Sequence, residues 1–267
     1  MMEFAEITDD TARAFFSCLA LEEPEDLEST IHSRNWYAEY KDKGYRAKVL
    51  RVNGSVGGKC HYGPIEISPL EGKNTTVIFC LCVHIYDERL PGDQRGRGYG
   101  RFMLETVKEE ARASGAQAVA AWAMDWHWNP MSFYLHAGYS EVDREGKVVA
   151  VWKPFAAGAE PPRILRIPSC PPARADRVTV LVADNAWCNC FHKKQIAREA
   201  VEGLEGVVEY IEVAPPCDGR VIHLGRVGGV YLDGEPYRPY ELIGASSELR
   251  HRIIELYERK RLGPERK

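Results

Sequence analysis

Hydrophobic and polar positions in residues 1–155 indicate a succession of helices and short strands. Helices are predicted at Asp9–Leu19, Pro24–Tyr40, Tyr99–Ser114 and Pro130–His136. Strands are predicted at Tyr45–Val52, Ser55–His61, Thr76–Tyr86, Gln117–Met124, Tyr139–Val142 and Lys147–Trp152. The Asn53-Gly54 pair between the first two strands is a strong hairpin signal. The long apolar and β-branched run at Thr76–Tyr86 is typical of a strand covered on both faces.

A second set of elements is predicted near the end of the chain. Their order is a strand, a helix, a strand, a hairpin about Asp233-Gly234 and a final helix. The predicted ranges are Arg177–Asp184, His192–Glu202, Val207–Val213, Gly229–Leu232 with Glu235–Arg238, and Ser246–Arg261.

The stretch between the two sets contains six prolines from Pro154 to Asp176 and no sustained periodicity, which favours extended chain. We therefore predict two domains, residues 1–155 and 177–267, joined by a proline-rich linker at 156–176. Within it, Ile164–Ile167 also fits a short strand packed against a domain.

The composition and net charge exclude several classes of protein. Of the 267 residues, 45% are hydrophobic and 28% are charged, which is typical of globular proteins and excludes a disordered or collagen-like chain. A net charge of −4 argues against a general nucleic-acid binder. The chain lacks a run of about 18 apolar residues, and its acidic start lacks the features of a signal peptide. We expect a cytoplasmic protein with neither nucleic acid nor membrane as a partner.

A glycine-rich loop, Q-R-G-R-G-Y-G at Gln94–Gly100, stands between a predicted strand and a predicted helix. The amides and the dipole of a helix N-terminus bind phosphate oxygens, and Arg95, Arg97 and Arg101 add positive charge. The loop is neither a Walker loop nor the Rossmann fingerprint. Taken alone, it fits a tight turn with solvated arginines equally well.

Two motifs together give the loop a more specific meaning. Arg95-x-x-Gly98-x-Gly100 resembles the pyrophosphate-binding motif of the GNAT superfamily of acyl-CoA-dependent N-acetyltransferases, and F-Y-L-H-A-G-Y at Phe133–Tyr139 resembles the second signature of that superfamily. The resemblance covers roughly residues 5–155. It implies an α/β (α+β) fold with a mixed central sheet, in which the strands ending near Tyr86 and Met124 splay apart. It also implies acetyl-CoA as cosubstrate and an amine of a small molecule, amino acid or peptide as acceptor.

The resemblance carries over to particular residues. It implies that the pantetheine arm binds the backbone of Val83, His84 and Ile85. It implies that the pyrophosphate is held by Arg95, Gly96, Arg97, Gly98, Tyr99, Gly100 and Arg101. Asn129 is a further candidate for cofactor binding, although it stands five residues before Tyr134 and the family often has its asparagine about seven before.

Tyr134 matches the position of the family's usual general acid. A phenol with a pKa near 10 can pass its proton to a departing thiolate of similar basicity. The alternative for Tyr134 is a core aromatic residue on a short helix.

The resemblance does not assign the general base to one residue, because several residues near the strand ends fit the role. His84 and Asp125 are the leading candidates, His127 and Glu66 are further ones, and ordered water is the alternative to all of them. The loop that begins at Asp125 (D-W-H-W-N) also offers two tryptophans that fit an aromatic acceptor pocket.

The eight cysteines divide unevenly. Cys80 and Cys82 alternate with apolar residues in a predicted buried strand and are interpreted as small apolar residues. Cys188 and Cys190 stand between the first strand and first helix of the second domain, where a helix N-terminus lowers a thiol pKa.

The second domain resembles a minimal thioredoxin-like domain of the YoaP-like kind. Its C-x-C spacing is one residue shorter than C-x-x-C, and Gly228 and Gly229 stand where that fold has its cis-proline, which puts ordinary disulfide oxidoreductase activity in doubt. Three interpretations of Cys188 and Cys190 stay open: residues of a turn, a redox or substrate-thiol site, or a soft-metal site with His192. Cys217 or His223 would complete such a metal site, and no metal is firmly predicted.

The leading hypothesis is an acetyl-CoA-dependent N-acetyltransferase with Tyr134 as general acid and an appended thioredoxin-like domain. The alternative is a thiol-redox or soft-metal-binding protein that uses Cys188 and Cys190 and whose first domain senses coenzyme A. The sequence does not determine the acceptor or the oligomeric state.

Overall fold

A computed structural model describes residues 2–16, 28–83, 96–125, 129–145, 148–164, 173–183, 193–213, 229–237 and 246–262. The chain divides into two compact units. The described residues up to 164 belong to the first unit and those from 173 onward to the second.

The first unit contains nine strands and four α-helices among its described residues. The strands are β1 (Met2–Glu6), β2 (Arg46–Val52), β3 (Ser55–Pro64), β4 (Leu70–Glu71), β5 (Thr75–Cys82), β6 (Ala118–Met124), β7 (Ser140–Glu145), β8 (Val148–Pro154) and β9 (Arg163–Ile164). The helices are α1 (Asp9–Phe16), α2 (Glu28–Tyr40), α3 (Tyr99–Ala113) and α4 (Met131–His136), with 3-10 turns at Lys41–Lys43 and Ile65–Ile67.

Seven of these strands form one mixed sheet in the order β1-β2-β3-β5-β6-β8-β7. Every neighbouring pair is antiparallel except β5 and β6, which run parallel and are connected through α3. Parallel neighbours need such a crossover, and their carboxyl ends meet at one edge of the sheet.

The two faces of the sheet are packed differently. Alternation along β3 turns Cys60 and Tyr62 towards the apolar side of α3, which contributes Met103, Leu104 and Val107 to the core. Lys59 and His61, which alternate with these two residues, face the opposite side, where both contact Phe15 of α1. The sheet is therefore covered on both faces, as the apolar run in β5 predicts.

Several sequence predictions are confirmed with shifted ends. Asn53 and Gly54 form the hairpin turn with φ of 51° and 86°, the left-handed values that this turn requires. β1 was missed, because its exposed and half-buried residues have no apolar run, and β3 extends past His61 to Pro64. The described part of the strand predicted to reach Tyr86 ends at Cys82.

The beginning of the proline-rich stretch stays with the first unit. Arg163–Ile164 pairs with β4, and the amide of Ile164 donates a hydrogen bond to Asp143 at 2.9 Å. Ile164 is buried beside Ile65 and Leu70. A short strand at this position was one of the two interpretations of the stretch.

The second unit has a four-stranded sheet in the order β11-β10-β12-β13. Its elements are β10 (Val178–Ala183), α5 (Lys193–Val201), β11 (Val208–Val213), β12 (Gly229–Leu232), β13 (Glu235–Tyr237) and α6 (Ser246–Leu262). β10 runs parallel to β11 and antiparallel to β12, and α5 and α6 share a core with one face of the sheet. Asp233 and Gly234 form the predicted turn with positive φ.

Hydrogen bonds from Lys260 of α6 hold the turn at Asp233. The Lys260 ammonium donates to the carboxylate of Asp233 at 2.8 Å and to the carbonyl of Arg177 at 2.9 Å. The same carboxylate accepts the amide of Thr179. Among the helices that the structure describes, none is long and apolar enough to cross a membrane.

Candidate active site

The parallel strands β5 and β6 pair only over their first halves. Their ladder runs from Thr75 and Ala118 to Ile78 and Ala121, although β5 continues to Cys82 and β6 to Met124. At the parting point β5 carries a bulge, because His61 pairs with Cys80 while Tyr62 pairs with Ile78. A bulge bends and twists its strand, which turns the end of β5 away from β6. The unpaired carboxyl ends of these two strands leave a gap in the sheet, here called the cleft.

Asn129 covers the edge of β6 at this cleft. Its side-chain amide donates to the carbonyl of Trp122 at 2.7 Å, and its own carbonyl accepts the amide of Met124 at 3.0 Å. Met124 and Pro130 form an isolated parallel bridge. Trp122 and Met124 lie beyond Ala121, the last residue of β6 that pairs with β5. The carbonyl of Trp122 and the amide of Met124 therefore form their hydrogen bonds with Asn129.

Tyr134 lies at the same point, on the first turn of the short helix α4. Its side chain is fully buried, and its hydroxyl donates to the side-chain oxygen of Asn129 at 3.0 Å. The rings of Phe133 and Tyr139 contact it edge-on at centroid distances of 5.1 and 5.7 Å. Burial raises the pKa of Tyr134 well above its usual range, so the phenol stays protonated at physiological pH.

The glycine loop leads into α3 beside this cleft. Gly96 and Gly98 have φ of 79° and 83°, a left-handed backbone conformation that calls for glycine, and a Cβ on either would meet no atom of the described residues within 4 Å. Gly98 is the N-cap of α3, and no side chain caps the helix there. Gly100 is required for a different reason, because its Cβ would lie 3.2 Å from the ring of Phe133.

Asp125 follows β6 directly and is held by an arginine. Its carboxylate accepts a hydrogen bond from Arg144 at 2.8 Å, and Arg144 also binds Glu141 at 2.7 and 2.8 Å. The Asp125 side chain is 55% exposed. Arg144 further contacts the sulfur of Met131 at the start of α4. Asp125 thus stands at the end of β6 beside the cleft, in an ion pair with Arg144.

Some of the remaining predicted site residues lie in described parts of the first unit, and the others lie outside the described residues. Val83 is described at the end of β5 and is half-buried, and Tyr99, Arg97 and Arg101 are described in the loop and α3. The predictions at His84, Ile85, Arg95, His127, Cys188, Cys190, His192, Cys217, Gly228 and His223 lie outside the described residues.

Glu66 is far from the cleft, which corrects its candidacy as a base. β3 runs antiparallel to β5, so Pro64 pairs with Thr76 at the start of β5 while Lys59 pairs with Cys82 at its end. Glu66 follows Pro64 and is exposed in a groove of about 650 Å³ at the opposite edge of the sheet.

Sequence analysis did not single out two polar residues of β3 that lie near the cleft. Lys59 is 2% exposed, and its ammonium donates to the carbonyl of Phe15 at 2.9 Å near the end of α1. His61 is fully buried, with its Nδ1 2.8 Å from the hydroxyl of Tyr45. The signal that could have found them is their polar character at alternate positions of a strand flanked by apolar ones.

The three described cysteines carry no disulfide. Cys60 and Cys80 are buried and Cys82 is half-buried. Burial raises the pKa of the Cys60 thiol, which keeps it neutral. Within the described part of the chain, no three His, Cys, Asp or Glu side chains are grouped as a metal site would require.

Neither a protein-family model nor a curated protein matches the chain. Several solved structures are similar to it. PaiA N-acetyltransferase from Thermoplasma acidophilum in complex with coenzyme A is 12% identical, with a TM-score of 0.43, over 58% of this chain and 99% of that one. Ribosomal-protein-alanine N-acetyltransferase from Brucella melitensis is 18% identical, with a TM-score of 0.43, over 57% and 99%. An acetyltransferase of the GNAT family from Staphylococcus aureus Mu50 is 13% identical, with a TM-score of 0.41, over 58% and 99%.

Proposed function

We propose that the first unit is an acyl-CoA-dependent N-acyltransferase of the GNAT superfamily that uses acetyl-CoA. The observation that carries the proposal is the parting of β5 and β6, with the hydroxyl of Tyr134 held where they part. Beyond Ile78, β5 keeps its ladder with β3, and its opposite edge faces the cleft. A pantetheine arm bound near Val83 would extend this edge as an added strand does.

The glycine loop supports the same proposal for the pyrophosphate of the cosubstrate. The first amides of a helix have no partner within the helix, and no described residue lies within 4 Å of where a Cβ on Gly96 or Gly98 would be. Arg97 and Arg101 are exposed and add the positive charge that phosphate oxygens prefer. These features suit an anion bound through backbone amides.

The proposed reaction is direct attack. The acceptor nitrogen forms a bond to the thioester carbonyl carbon, the bond from that carbon to sulfur breaks, and the departing thiolate takes the phenolic proton of Tyr134. Burial raises the pKa of Tyr134 and keeps the donor protonated, but it also makes the phenol a weaker acid. The proposed transfer therefore requires the thiolate to leave into the same water-poor surroundings, where its own basicity is raised for the same reason. Asp125, His84 and ordered water are the candidates for accepting the surplus proton of the amine.

For the second unit we propose a thioredoxin-like domain that recognises or presents the acceptor. The supporting observation is its strand order, β11-β10-β12-β13, with one parallel and two antiparallel pairings and the helix α5 between the parallel strands. The alternative function, thiol-redox or soft-metal chemistry at Cys188 and Cys190, is tested by counting thiols with and without reductant and by metal analysis of the purified protein.

Binding of acetyl-CoA is the first test of the main proposal. At 100 times its dissociation constant the cosubstrate should stabilise the protein by about 2.7 kcal/mol, seen as a rise in Tm, whereas acetyl-pantetheine alone should give a smaller shift. Release of coenzyme A on adding amino acids, polyamines and short peptides then distinguishes an enzyme from a sensor. A protein that no acyl-CoA stabilises would exclude the proposal.

A further inference from the structure

We infer that Asn129 is a positioning residue that holds the hydroxyl of Tyr134 in the cleft. This inference rests on the proposed function. It concerns an asparagine that the resemblance to the GNAT superfamily makes a candidate for cofactor binding, at an unusual distance from Tyr134. The bonds around Asn129 indicate another role.

Asn129 makes two kinds of contact. Its backbone carbonyl accepts the amide of Met124, and its side-chain Nδ2 donates to the carbonyl of Trp122, both on the open edge of β6. The ladder between β5 and β6 stops at Ile78 and Ala121, so these two backbone groups of β6 bond to Asn129 and not to β5.

The remaining oxygen of the amide determines where the phenol points. The hydroxyl of Tyr134 donates to it at 3.0 Å, and the ring is fixed by Phe133 and Tyr139 on its sides. Since Nδ2 is tied to the carbonyl of Trp122, the amide cannot rotate, and its oxygen is presented to the phenol in one orientation. The hydroxyl oxygen of Tyr134 is thereby held at the point where β5 and β6 part, and in the proposed reaction its proton turns from Asn129 to the thiolate.

The local backbone is adapted to this task. Asn129 has φ of 43°, one of four described residues other than glycine with positive φ. Asparagine tolerates this conformation better than most residues. The next residue, Pro130, is the N-cap of α4 and lies four residues before Tyr134, so the position of Asn129 is transmitted directly to the phenol.

The test compares Asn129→Gly with Asn74→Gly. Glycine removes the side chain and accepts positive φ, and Asn74 has φ of 50° at the opposite end of the sheet, so it controls for the change of backbone. With acetyl-CoA and the amine that the wild-type protein acetylates fastest, Asn129→Gly should lower kcat about tenfold or more, because a positioned acid contributes about 10²–10⁴-fold. The dissociation constant for coenzyme A should change less than about threefold, as expected where no contact is lost.

A double-mutant cycle shows whether Asn129 acts through the phenol. In a Tyr134→Phe background, Asn129→Gly should change kcat less than about twofold, because the hydroxyl that it positions is absent. Weakened binding of coenzyme A with unchanged kcat would make Asn129 a cofactor contact and would overturn the inference. Additive losses in the cycle would overturn it as well.

A readout without turnover separates this inference from the proposed function. With 3-fluorotyrosine incorporated, the fluorine resonance lost in Tyr134→Phe belongs to Tyr134, and it should shift in Asn129→Gly and stay in place in Asn74→Gly. If the wild-type protein released no coenzyme A with any amine, the proposed function would fail, and a shifted resonance would still support the contact. A resonance that did not shift would refute the positioning role in either case.

Discussion

Replacing His61 with glutamine should make the first unit less sensitive to acid. His61 is fully buried, and the rings of Phe15, Tyr45 and Phe79 lie around it at centroid distances of 5.5, 5.9 and 6.2 Å. Burial, reinforced by the ammonium of Lys59, lowers the pKa of His61 well below its usual value. The folded protein therefore keeps this ring neutral when an exposed histidine is already charged.

The size of the effect follows from the difference in proton binding. Above pH 6.5 neither state protonates His61, so its contribution to stability is fully present there. Below that pH the unfolded chain binds a proton that the folded protein does not, and the free energy of unfolding falls by up to about 1.4 kcal/mol per pH unit until the folded pKa is reached. Between pH 7.5 and pH 5 the loss attributable to this one group is about 2 kcal/mol.

Urea unfolding followed by tryptophan fluorescence measures this loss, because Trp36, Trp122 and Trp152 all lie in the first unit. His61→Gln keeps a hydrogen-bonding partner for the hydroxyl of Tyr45 and does not titrate. The drop in free energy of unfolding from pH 7.5 to pH 5 should be about 2 kcal/mol smaller in His61→Gln than in the wild-type protein.

His136→Gln provides the matched control, because His136 is exposed on the surface of α4. Its pH dependence should equal that of the wild-type protein. Comparing two pH values within each protein cancels whatever the substitution costs in packing. An equal drop in His61→Gln and the wild-type protein would refute the reasoning, since it would mean that folding does not oppose protonation of His61.

Three further changes test other parts of the molecule. Tyr134→Phe should slow release of coenzyme A by about 10²–10⁴-fold, with binding of coenzyme A by calorimetry unchanged. Gly98→Ala imposes a left-handed residue at a cost of about 1–2 kcal/mol and should also weaken acetyl-CoA binding, whereas Gly54→Ala, strained in the same way in the hairpin, should lower only Tm. Lys260→Met removes an ammonium that binds several oxygens and should destabilise the second unit by about 1–3 kcal/mol, seen as faster hydrogen exchange in residues 173–262.

What the sequence predicts well in this chain depends on neighbours along the chain. The hairpin at Asn53-Gly54 is such a case, because two successive residues with positive φ decide the turn. The order of strand, glycine loop and helix around Gly98 is another. In both cases the preference is local, and packing elsewhere does not need to be known.

What the sequence does not predict depends on the register between distant strands. The bulge opposite His61 and Tyr62 leaves no trace in β5, because a continuous apolar run has the same pattern in either register. The partly buried ion pair of Lys48 and Glu110 joins residues 62 positions apart, so no short sequence pattern records it. The hydrogen bonds of Asn129 to Trp122 and Met124 likewise depend on how far β6 extends beyond the last residue that pairs with β5.

The conformation of Asn129 depends both on a local backbone preference and on the pairing of distant strands. A residue other than glycine with φ of 43° is strained by roughly 1–2 kcal/mol, so it persists only where nearby contacts outweigh the strain. Here the contacts are hydrogen bonds to Trp122, Met124 and Tyr134, and two of these three partners exist only because β5 and β6 separate. The turn at Asn129 therefore depends on the parting that accompanies the bulge in β5: the unpaired edge of β6 supplies two of the three bonds that stabilise the turn, and the third goes to the phenol.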